Sequence, residues 1–487
     1  MLRKLLLYTG ILLAVLITVI LFRTITYSSK QTKVKPVAHV RVSEDALTHL
    51  SEAIQIPTVS EAPPAPLDTL HFNAFINYLA KTYPNTTTTL RPQRINGFSL
   101  LYTWPGTDTS LKPIILLGHM DVVPAVGDSG EQWLTPPFSG LIKDGAVWGR
   151  GSLDDKITVI GILEAVEMLV KEGFAPKRTI YLAFGHDEEV GGRNGAKKIA
   201  EYLQSRHVKA GFLLDEGLVI TSGLVPGLDD RKVALVGVSE KGYASFELSI
   251  TTTGGHSSMP TKETPIGILS GAISALEKHP MKSRLSAPVK QFLDYVGPEM
   301  PFLTRMAFAN RWLFSGLVIK KYESSNAGTA IVRTTTAPTI FKSGTKDNVL
   351  PSYATATINF RLLPGDSISD VEKHIRKVIK DDRVVIKTVG HHSEASPVSE
   401  VNCAEFKCLE KSISQIFPNT LIAPSLVIAG TDARHYTAVA ENQYRFVPLI
   451  AGPDDLTKIH GVNERMSSPN FLNCICFYRQ LILNFNK

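Results

Sequence analysis

Histidine and carboxylate residues follow three short apolar runs in this sequence. The runs and the polar residues after them are 114–117 with His119 and Asp121, 179–184 with His186, Glu188 and Glu189, and 211–214 with Asp215 and Glu216. A short apolar run of this kind is typical of a buried β-strand. Because side chains alternate along an extended chain, His119 and Asp121 are expected to point to the same side.

Together, the three runs predict one site. In open α/β sheets, ligands bind beyond the carboxyl ends of the strands, where residues from neighbouring strands meet. Histidine nitrogen and carboxylate oxygen are ligands of catalytic zinc, which keeps a coordination position open for water. Two metals about 3.5–4 Å apart need one ligand that they share. We therefore expect a hydrolytic metal centre at this edge of the sheet.

A further pair of acids precedes a predicted helix. Asp154 and Asp155 follow the glycine-rich turn GRGS and come just before the stretch 157–170, where apolar residues recur at helical spacing. A carboxylate at the start of a helix is held in a fixed geometry. This segment can therefore supply a rigidly placed metal ligand.

These segments resemble the zinc-dependent family that contains the aminoacylases, carboxypeptidase S and succinyl-diaminopimelate desuccinylase. The motifs that carry the resemblance are GHMDVVP, GRGSLDDK, GHDEEVGG, LLDEG and KIHGVNER. The match extends from about residue 54 to the C-terminus. It implies two Zn2+ ions as cofactors. The ligands that it implies are His119 and Asp215 for one zinc, Glu189 and His460 for the other, and Asp154 as the bridge between them.

The resemblance also implies roles for the neighbouring acids. Glu188 would be the general base that takes a proton from the bridging water and passes it to the leaving amine. Asp121 would orient the imidazole of His119. Asp155 is interpreted as a helix-start residue, because the family pattern requires only the first acid of its pair.

A second set of candidates lies in and around a predicted insertion. In the resembling family, the histidine of GGHSS, here His256, lies on a lid domain, reaches the active site of the partner subunit and polarises the scissile carbonyl. Arg361 resembles the family's clamp for a substrate carboxylate, a pairing that guanidinium geometry suits. Asn348 and Arg434 are further candidates for the same pocket. The alternatives are a structural turn histidine and a surface arginine.

The chain has 487 residues, which is too long for one core and fits two domains. We predict an α/β fold with an α/β/α catalytic domain of the zinc-peptidase type over residues 44–238 and 396–487. An inserted α+β, ferredoxin-like lid and dimerisation domain is predicted over residues 239–395. A homodimer through the lids follows if His256 acts on the partner subunit.

The first 43 residues are predicted to form a membrane anchor and a linker. Leu5 to Phe22 is a run of 18 residues without charge, which is just long enough to span a bilayer. The following segment FRTITYSSK contains no evident cleavage site, so we predict an uncleaved, single-pass signal anchor. Basic residues flank both ends of this apolar run, so the positive-inside rule does not decide its orientation. The catalytic domain is expected to be extracytoplasmic or lumenal, because the related anchored enzymes lie there.

The expected reaction is hydrolysis of an amide bond next to a free carboxylate, in N-acyl amino acids or peptides. VRTTTAPTIFKSGTKDNVLP, GTDARHY and KIHGVNERM resemble the branch that holds carboxypeptidase S and the enzymes that cleave and form N-fatty-acyl amino acids. A carboxypeptidase is the alternative. The apolar stretch 301–319 is interpreted as an acyl-chain channel or a membrane contact, or else as a helix buried in the lid core or a dimer interface.

Other classes of protein fit the sequence less well. The formal net charge of +7 is not accompanied by any nucleic-acid motif, so nucleic acid is not an expected partner. A catalytically silent binding protein is disfavoured by the complete ligand set and by Glu188. A lidless aminopeptidase is disfavoured by GGHSS and by the long insertion after Ser239.

Overall fold

The computed structural model describes residues 1–61, 64–125 and 132–486. Within these residues, the α-helices are α1 (Leu2–Ile25), α2 (Ala46–Ile54), α3 (Thr69–Thr82), α4 (Pro84–Leu90), α5 (Lys156–Lys171), α6 (Ala196–Ser205), α7 (Pro265–Lys278), α8 (Ala287–Val296), α9 (Phe302–Ala309), α10 (Arg311–Tyr322), α11 (Asn326–Val332), α12 (Ile368–Ile379), α13 (Ala404–Ile416), α14 (Pro453–Leu456) and α15 (Ser468–Phe485). The strands are β1 (Gln93–Ile95), β2 (Ser99–Trp104), β3 (Ile114–His119), β4 (Leu141–Lys143), β5 (Ala146–Trp148), β6 (Ile180–Gly185), β7 (Phe212–Asp215), β8 (Ile220–Ser222), β9 (Lys232–Glu240), β10 (Gly242–Thr251), β11 (Gly255–His256), β12 (Thr335–Ser343), β13 (Val349–Leu350), β14 (Tyr353–Leu362), β15 (Val385–Ser393), β16 (Thr420–Val427), β17 (Gln443–Arg445), β18 (Ile450–Ala451) and β19 (Arg465–Ser467).

A mixed ten-stranded sheet forms the centre of the molecule. Its order is β1-β2-β6-β3-β7-β17-β9-β8-β18, and β16 pairs with β9. At its middle, β3 pairs in parallel with both β6 and β7, and β7 pairs in parallel with β17. The three apolar runs that predict strands are therefore adjacent parallel strands. Because their carboxyl ends lie side by side, the polar residues that follow them come together.

Helices cover both faces of this sheet. Ile114 and Leu116 of β3 belong to one core cluster, which also contains the apolar side of α5 and α15. Ile115 and Leu117 point to the other face, into a second cluster with α6. Alternate residues of a central strand are thus buried on opposite faces, as expected for a strand covered on both sides. The predicted α/β/α layering is confirmed.

A second, antiparallel sheet has the order β12-β14-β10-β15. Helices α7 and α12 pack against each other, and their apolar residues join the sheet in one separate core cluster. The chain order β10-α7-β12-β14-α12-β15, with β14 and β10 in the middle, is that of a ferredoxin-like βαββαβ unit. The sequence segments DVEKHIRKVI and RVVIKTV form α12 and β15, as expected.

Helices α8 to α11 interrupt this unit between α7 and β12. Helix α8 packs against β16 of the large sheet. Tyr295, Val296 and Met300 belong to the core cluster of the large sheet. This part of the predicted lid segment therefore contacts the α/β body and not only the small sheet.

Helix α1 is long and apolar enough to cross a membrane, and among the described residues it is the one helix that meets this criterion. Its most apolar window of 18 residues has a mean hydropathy of 2.8 and none of that window is buried. The predicted N-terminal apolar helix is present, and its end packs against α9.

Candidate active site

Two groups of potential metal ligands share Asp154. In the first group, His119 Nε2 lies 2.9 Å from Asp154 Oδ1 and 3.3 Å from Glu216 Oε1. In the second group, His460 Nε2 lies 3.0 Å from Asp154 Oδ2 and 3.2 Å from Glu189 Oε2. The ligand atoms of each group lie within 4.8 Å of one another. Each oxygen of Asp154 faces a different histidine, which is the arrangement of a bridging carboxylate.

The electrostatics of the two groups suit divalent cations. Burial raises the pKa of Glu216 well above its ordinary value, and the charge of Asp154 adds to the effect. Burial also raises the pKa of Glu189, whose buried Oε1 has no hydrogen-bond partner among the described residues. Crowded, buried carboxylates of this kind are stabilised by a bound cation, which favours their ionised form. The nitrogen and oxygen donors also match the preferences of zinc.

One predicted ligand, Asp215, is absent from both groups, and Glu216 takes its place beside His119. Asp215 Oδ2 accepts a hydrogen bond from the Ala433 backbone N–H at 2.6 Å, and Oδ1 accepts one from the Glu216 N–H at 3.0 Å. Consecutive side chains at the end of β7 point to opposite sides, so only one of the two acids can face His119. In this geometry Glu216, and not the predicted Asp215, is the acid of LLDEG that lies beside His119.

Asp121 connects the histidine to the two glutamates. Its Oδ1 and Oδ2 accept hydrogen bonds from the backbone N–H groups of Glu188 and Glu189, each at 3.1 Å. His119 Nδ1 lies 3.3 Å from Asp121 Oδ1 and 3.0 Å from the Asp121 carbonyl oxygen. Fixing one ring nitrogen in this way leaves the other free to bind metal. The geometry fits the orienting role predicted for Asp121.

Glu188 lies beside the ligand groups without belonging to either. Burial raises the pKa of its carboxyl group to about 8. Its Oε1 is 3.9 Å from Arg434 Nη2. The positive charge of Arg434 favours the ionised form, and metal ions would add to this effect when bound. A buried carboxyl group poised in this way can exchange a proton near neutral pH.

The other polar residues of GHDEEVGG have structural tasks. Asp187 accepts hydrogen bonds from the backbone N–H groups of Asn194 and Gly195 at 2.8 and 2.7 Å, just before α6. His186 Nδ1 lies 2.7 Å from Ser99 Oγ in a buried position. In the other acidic motif, GRGSLDDK, Asp155 precedes α5, as expected, and its Oδ2 accepts a hydrogen bond from the His119 backbone N–H at 3.3 Å.

Sequence reasoning missed Glu464, which fixes the loop that carries Asp154. The side chain of Glu464 is fully buried and pairs with Arg150 Nη1 at 2.7 Å. It also accepts backbone N–H groups of Gly151, Leu153 and Asp154 at 3.1, 2.6 and 3.2 Å. The only sequence signal was an acid four residues after His460. Nothing in that spacing indicates a contact with a loop some 310 residues earlier in the chain.

Glu464→Gln is expected to destabilise the protein by about 3–5 kcal/mol, because it leaves the charge of Arg150 buried without its partner. Thermal unfolding of the metal-loaded protein measures this loss. Glu441→Gln is the matched control. Glu441 pairs with Lys112 at 2.6 Å, but both side chains are half exposed, so the expected cost is below about 1 kcal/mol. Equal melting temperatures of the two variants would contradict the role of Glu464.

The ligand groups open into a cavity of about 260 Å³. Its polar lining includes Asp154, Glu188, Glu189, Glu216 and His460. Its walls are mostly apolar and include Leu153, Leu218, Val219, Val427, Ile428, Val447, Leu449, Ala451, Leu456 and Ile459. The apolar stretch 301–319 does not line it. The candidate chemical groups therefore lie at one side of a mainly hydrophobic cavity.

The candidates from the predicted lid do not line this cavity within the single chain. His256 is exposed on β11, and its Nδ1 lies 2.8 Å from Ser258 Oγ. The carbonyl oxygen of Asn348 accepts the Ser257 backbone N–H at 3.2 Å, so Asn348 and His256 are neighbours. Neither His256 nor Asn348 lines the cavity of its own chain.

Two arginines lie close enough to each other for their charges to interact. Arg434 approaches Glu188, as described above. The Arg361 guanidinium lies over the ring of Tyr243, 4.6 Å from the ring centre. Burial and the positive charge of Arg434 both lower the pKa of Arg361. Two guanidinium groups that repel each other in this way can be stabilised by an anionic ligand.

The mixed α/β sheet and the two ligand groups at its carboxyl edge define a metal-dependent hydrolase. The chain belongs to peptidase family M20/M25/M40, whose family profile matches residues 115–484. It is therefore a metallopeptidase-family enzyme that hydrolyses amide bonds. The family is metal-dependent and typically dinuclear.

Known proteins resemble this chain over most of its length. It is 41% identical to the probable carboxypeptidase S-like 2 of Dictyostelium discoideum, over 98% of this chain and 93% of that protein. It is 39% identical to the N-fatty-acyl-amino acid synthase/hydrolase PM20D1 of Xenopus tropicalis, over 97% and 93%. The M20 family metallo-carboxypeptidase Sso-CP2 of Sulfolobus solfataricus shares the fold, with a TM-score of 0.64, 18% identity and coverage of 91% and 100%.

Proposed function

We propose that this protein hydrolyses N-acyl amino acids whose acyl group is long and apolar. The observation that carries the proposal is the cavity, which places the ligand groups and Glu188 beside apolar walls. An apolar wall favours a hydrocarbon chain because burying it removes apolar surface from water. The related N-fatty-acyl-amino acid synthase/hydrolase supports the same substrate class.

We infer that two Zn2+ ions are the native cofactors. His119, Asp154 and Glu216 would hold one ion, and Asp154, Glu189 and His460 would hold the other. When bound, the ions would polarise the scissile carbonyl and lower the pKa of a water molecule.

Glu188 would act as the general base and then as the general acid. Its carboxylate removes a proton from the attacking water and delivers that proton to the nitrogen of the leaving amino acid. Its side chain is only 12% exposed, which limits the access of bulk water to the transferred proton. Asp121 supports the reaction by holding the Glu188 backbone and the His119 ring in place.

Arg361 and Arg434 would bind the free carboxylate of the substrate. We expect Arg361→Ala to raise KM for an N-acyl amino acid by about 10–100-fold, because a hydrogen-bonded charge pair contributes about 1.5–3 kcal/mol. The expected kcat is close to that of the wild type. Steady-state kinetics on the acid and on its uncharged carboxamide test this role. If Arg361→Ala impaired both substrates equally, the carboxylate clamp would be wrong.

The apolar walls predict a selective effect of filling the cavity. Ile428→Trp is expected to lower kcat/KM for an N-oleoyl amino acid about tenfold or more, because it occupies space needed by the acyl chain. An N-acetyl substrate should be affected little. Ile428 is 45% exposed, so the larger side chain does not overpack the core. Ile142→Trp, at a site that is 46% exposed on β4, is the matched control. Equal losses on both substrates would contradict an acyl site.

We further propose that α1 is an uncleaved single-pass anchor and that the catalytic part lies outside the cytoplasm or in a lumen. The length and hydropathy of α1 support this assignment. Resistance to alkaline extraction tests the anchor, and protease protection in sealed vesicles tests the side of the membrane. A protein released by alkaline washing would contradict the anchor.

We also propose that the ferredoxin-like unit is a lid and that two chains form a homodimer through it. The exposed position of His256 and Asn348 supports this proposal, because their place outside the cavity of their own chain suits an action on a partner. Mixing His256→Ala chains with Glu188→Gln chains tests it. Recovery of activity in the mixed dimer is expected, and its absence would contradict an action in trans.

A further inference from the structure

The outward side of helix α10 is apolar. Trp312, Leu313 and Leu317 are 56%, 44% and 64% exposed. On the preceding helix α9, Phe302 and Leu303 are 53% and 72% exposed. The water-facing side of a surface helix normally carries polar and charged residues. These two helices, which pack against each other, have the opposite pattern. An exposed apolar patch marks an interaction site.

The same pair of helices holds the end of the candidate membrane helix. Asn310, between α9 and α10, donates a hydrogen bond to the Ile20 carbonyl and lies within hydrogen-bond distance of the Thr24 hydroxyl, each at 3.2 Å. In α1, Leu16 and Ile20 are partly shielded and Thr24 is fully buried. Residues four apart lie on one side of a helix, so one side of α1 is covered along two turns.

The depth of this contact in a bilayer determines whether lipid or water surrounds it. Leu16 lies six residues before Phe22, the last residue of the charge-free run. At 1.5 Å per residue, this separation is about 9 Å along the helix axis. When α1 spans a bilayer, the part of the protein that shields Leu16 lies below the headgroups, at the level of the hydrocarbon. Surfaces at that level must be apolar.

The segment after α1 ties it firmly to the body of the enzyme. The Tyr27 hydroxyl donates to the Leu293 carbonyl at 2.6 Å. The Gln31 side chain donates to the Tyr295 and Ile422 carbonyls at 3.2 and 3.0 Å. Because α1 and α8 to α10 are joined in this way, the orientation of α1 in the membrane fixes the position of the apolar patch.

Charges at the edge of the patch agree with a lipid surface. Lys320 and Lys321, in the last turn of α10, are both exposed and follow directly after the apolar side. Long basic side chains reach lipid phosphates while their stems stay in apolar surroundings. Trp312 is of the residue type that is enriched where hydrocarbon meets headgroups.

We propose that α9 and α10 form a second membrane contact, inserted into the leaflet that α1 crosses, with phospholipid acyl chains as the occupant of the patch. The catalytic body is then held against the membrane in one orientation and does not move freely on a tether. This inference rests on the proposed anchor and is independent of the proposed substrate.

Fluorescence quenching of the full-length protein in liposomes tests the contact. Trp312→Phe isolates the signal of Trp312 by difference from the wild type, and Trp148→Phe does the same for Trp148, which lies on β5. Phospholipids brominated on their acyl chains quench only tryptophans that reach the hydrocarbon. We expect them to remove most of the Trp312 signal and little of the Trp148 signal. Acrylamide in the water should have the reverse preference.

Three results would overturn the proposal. Quenching of Trp312 by acrylamide but not by brominated lipid would place the patch in water. Protection from both quenchers would show that a second protein chain covers it. Equal quenching of both tryptophans by lipid would show no specific contact. Flotation of the same samples shows separately whether α1 anchors the protein, and turnover in detergent shows separately whether it is an N-acyl amino acid hydrolase.

Discussion

Glu188→Gln is expected to lower kcat by about 10²–10⁴-fold while both metals remain bound, because it removes the proton carrier without removing a ligand. Glutamine has nearly the shape of glutamate but cannot accept the proton of the attacking water. The expected KM is close to that of the wild type. Steady-state kinetics together with metal analysis by mass spectrometry measure both parts of the prediction.

Asp187→Asn is the matched control for Glu188→Gln. Asp187 is the neighbouring acid, and its carboxylate accepts backbone N–H groups before α6. Its substitution should lower the melting temperature and leave kcat per folded enzyme nearly unchanged. An active Glu188→Gln enzyme would contradict the role of Glu188. A loss of metal in that variant would reassign Glu188 as a ligand.

Glu216→Gln is expected to weaken the binding of one of the two metals by more than about 100-fold. Loss of a residue that only supports a metal ligand typically costs about 10–100-fold in affinity, and Glu216 is proposed to bind the metal directly. Activity should fall with the metal. Glu216 Oε1 lies 3.3 Å from His119 Nε2, in the position where a ligand is needed. Calorimetric titration of the metal-free protein with Zn2+ should show two sites in the wild type and one strong site in the variant.

Asp215→Asn separates the two acids of LLDEG. Because Asp215 accepts backbone N–H groups of Ala433 and Glu216, its substitution should cost about 1–3 kcal/mol of stability. Both metals should still bind. If Asp215→Asn lost a metal and Glu216→Gln kept both, the ligand assignment from the family resemblance would be correct and the assignment from the geometry would be wrong.

Much of the fold was predictable from the sequence because it depends on local patterns. The apolar runs 114–117, 179–184 and 211–214 are short and end at polar residues. They therefore predict three strands whose carboxyl ends carry the residues of the site. Helix α5 follows from apolar residues at helical spacing. The sequence could not decide between Asp215 and Glu216, because that choice depends on which side of β7 faces His119.

Other features depend on contacts between distant parts of the chain. Glu464 stabilises the loop that carries Asp154, but no periodicity links the two segments. The composition of the stretch 301–319 is compatible with a channel lining, a membrane contact or a buried helix. Its contact with α1 and the exposure of Leu317 are tertiary properties. The position of His256 outside the cavity of its own chain is likewise a property of the folded molecule.

The most direct test of the proposed function compares two substrates on the same metal-loaded, full-length enzyme. We would measure kcat/KM for an N-oleoyl amino acid and for a blocked dipeptide with a free C-terminal carboxylate. The cavity predicts a clear preference for the oleoyl substrate, because its apolar walls would bind the acyl chain. A preference for the dipeptide would identify a carboxypeptidase and contradict the proposed substrate class. Turnover of neither substrate would contradict the hydrolase mechanism derived from Glu188 and the paired ligand groups.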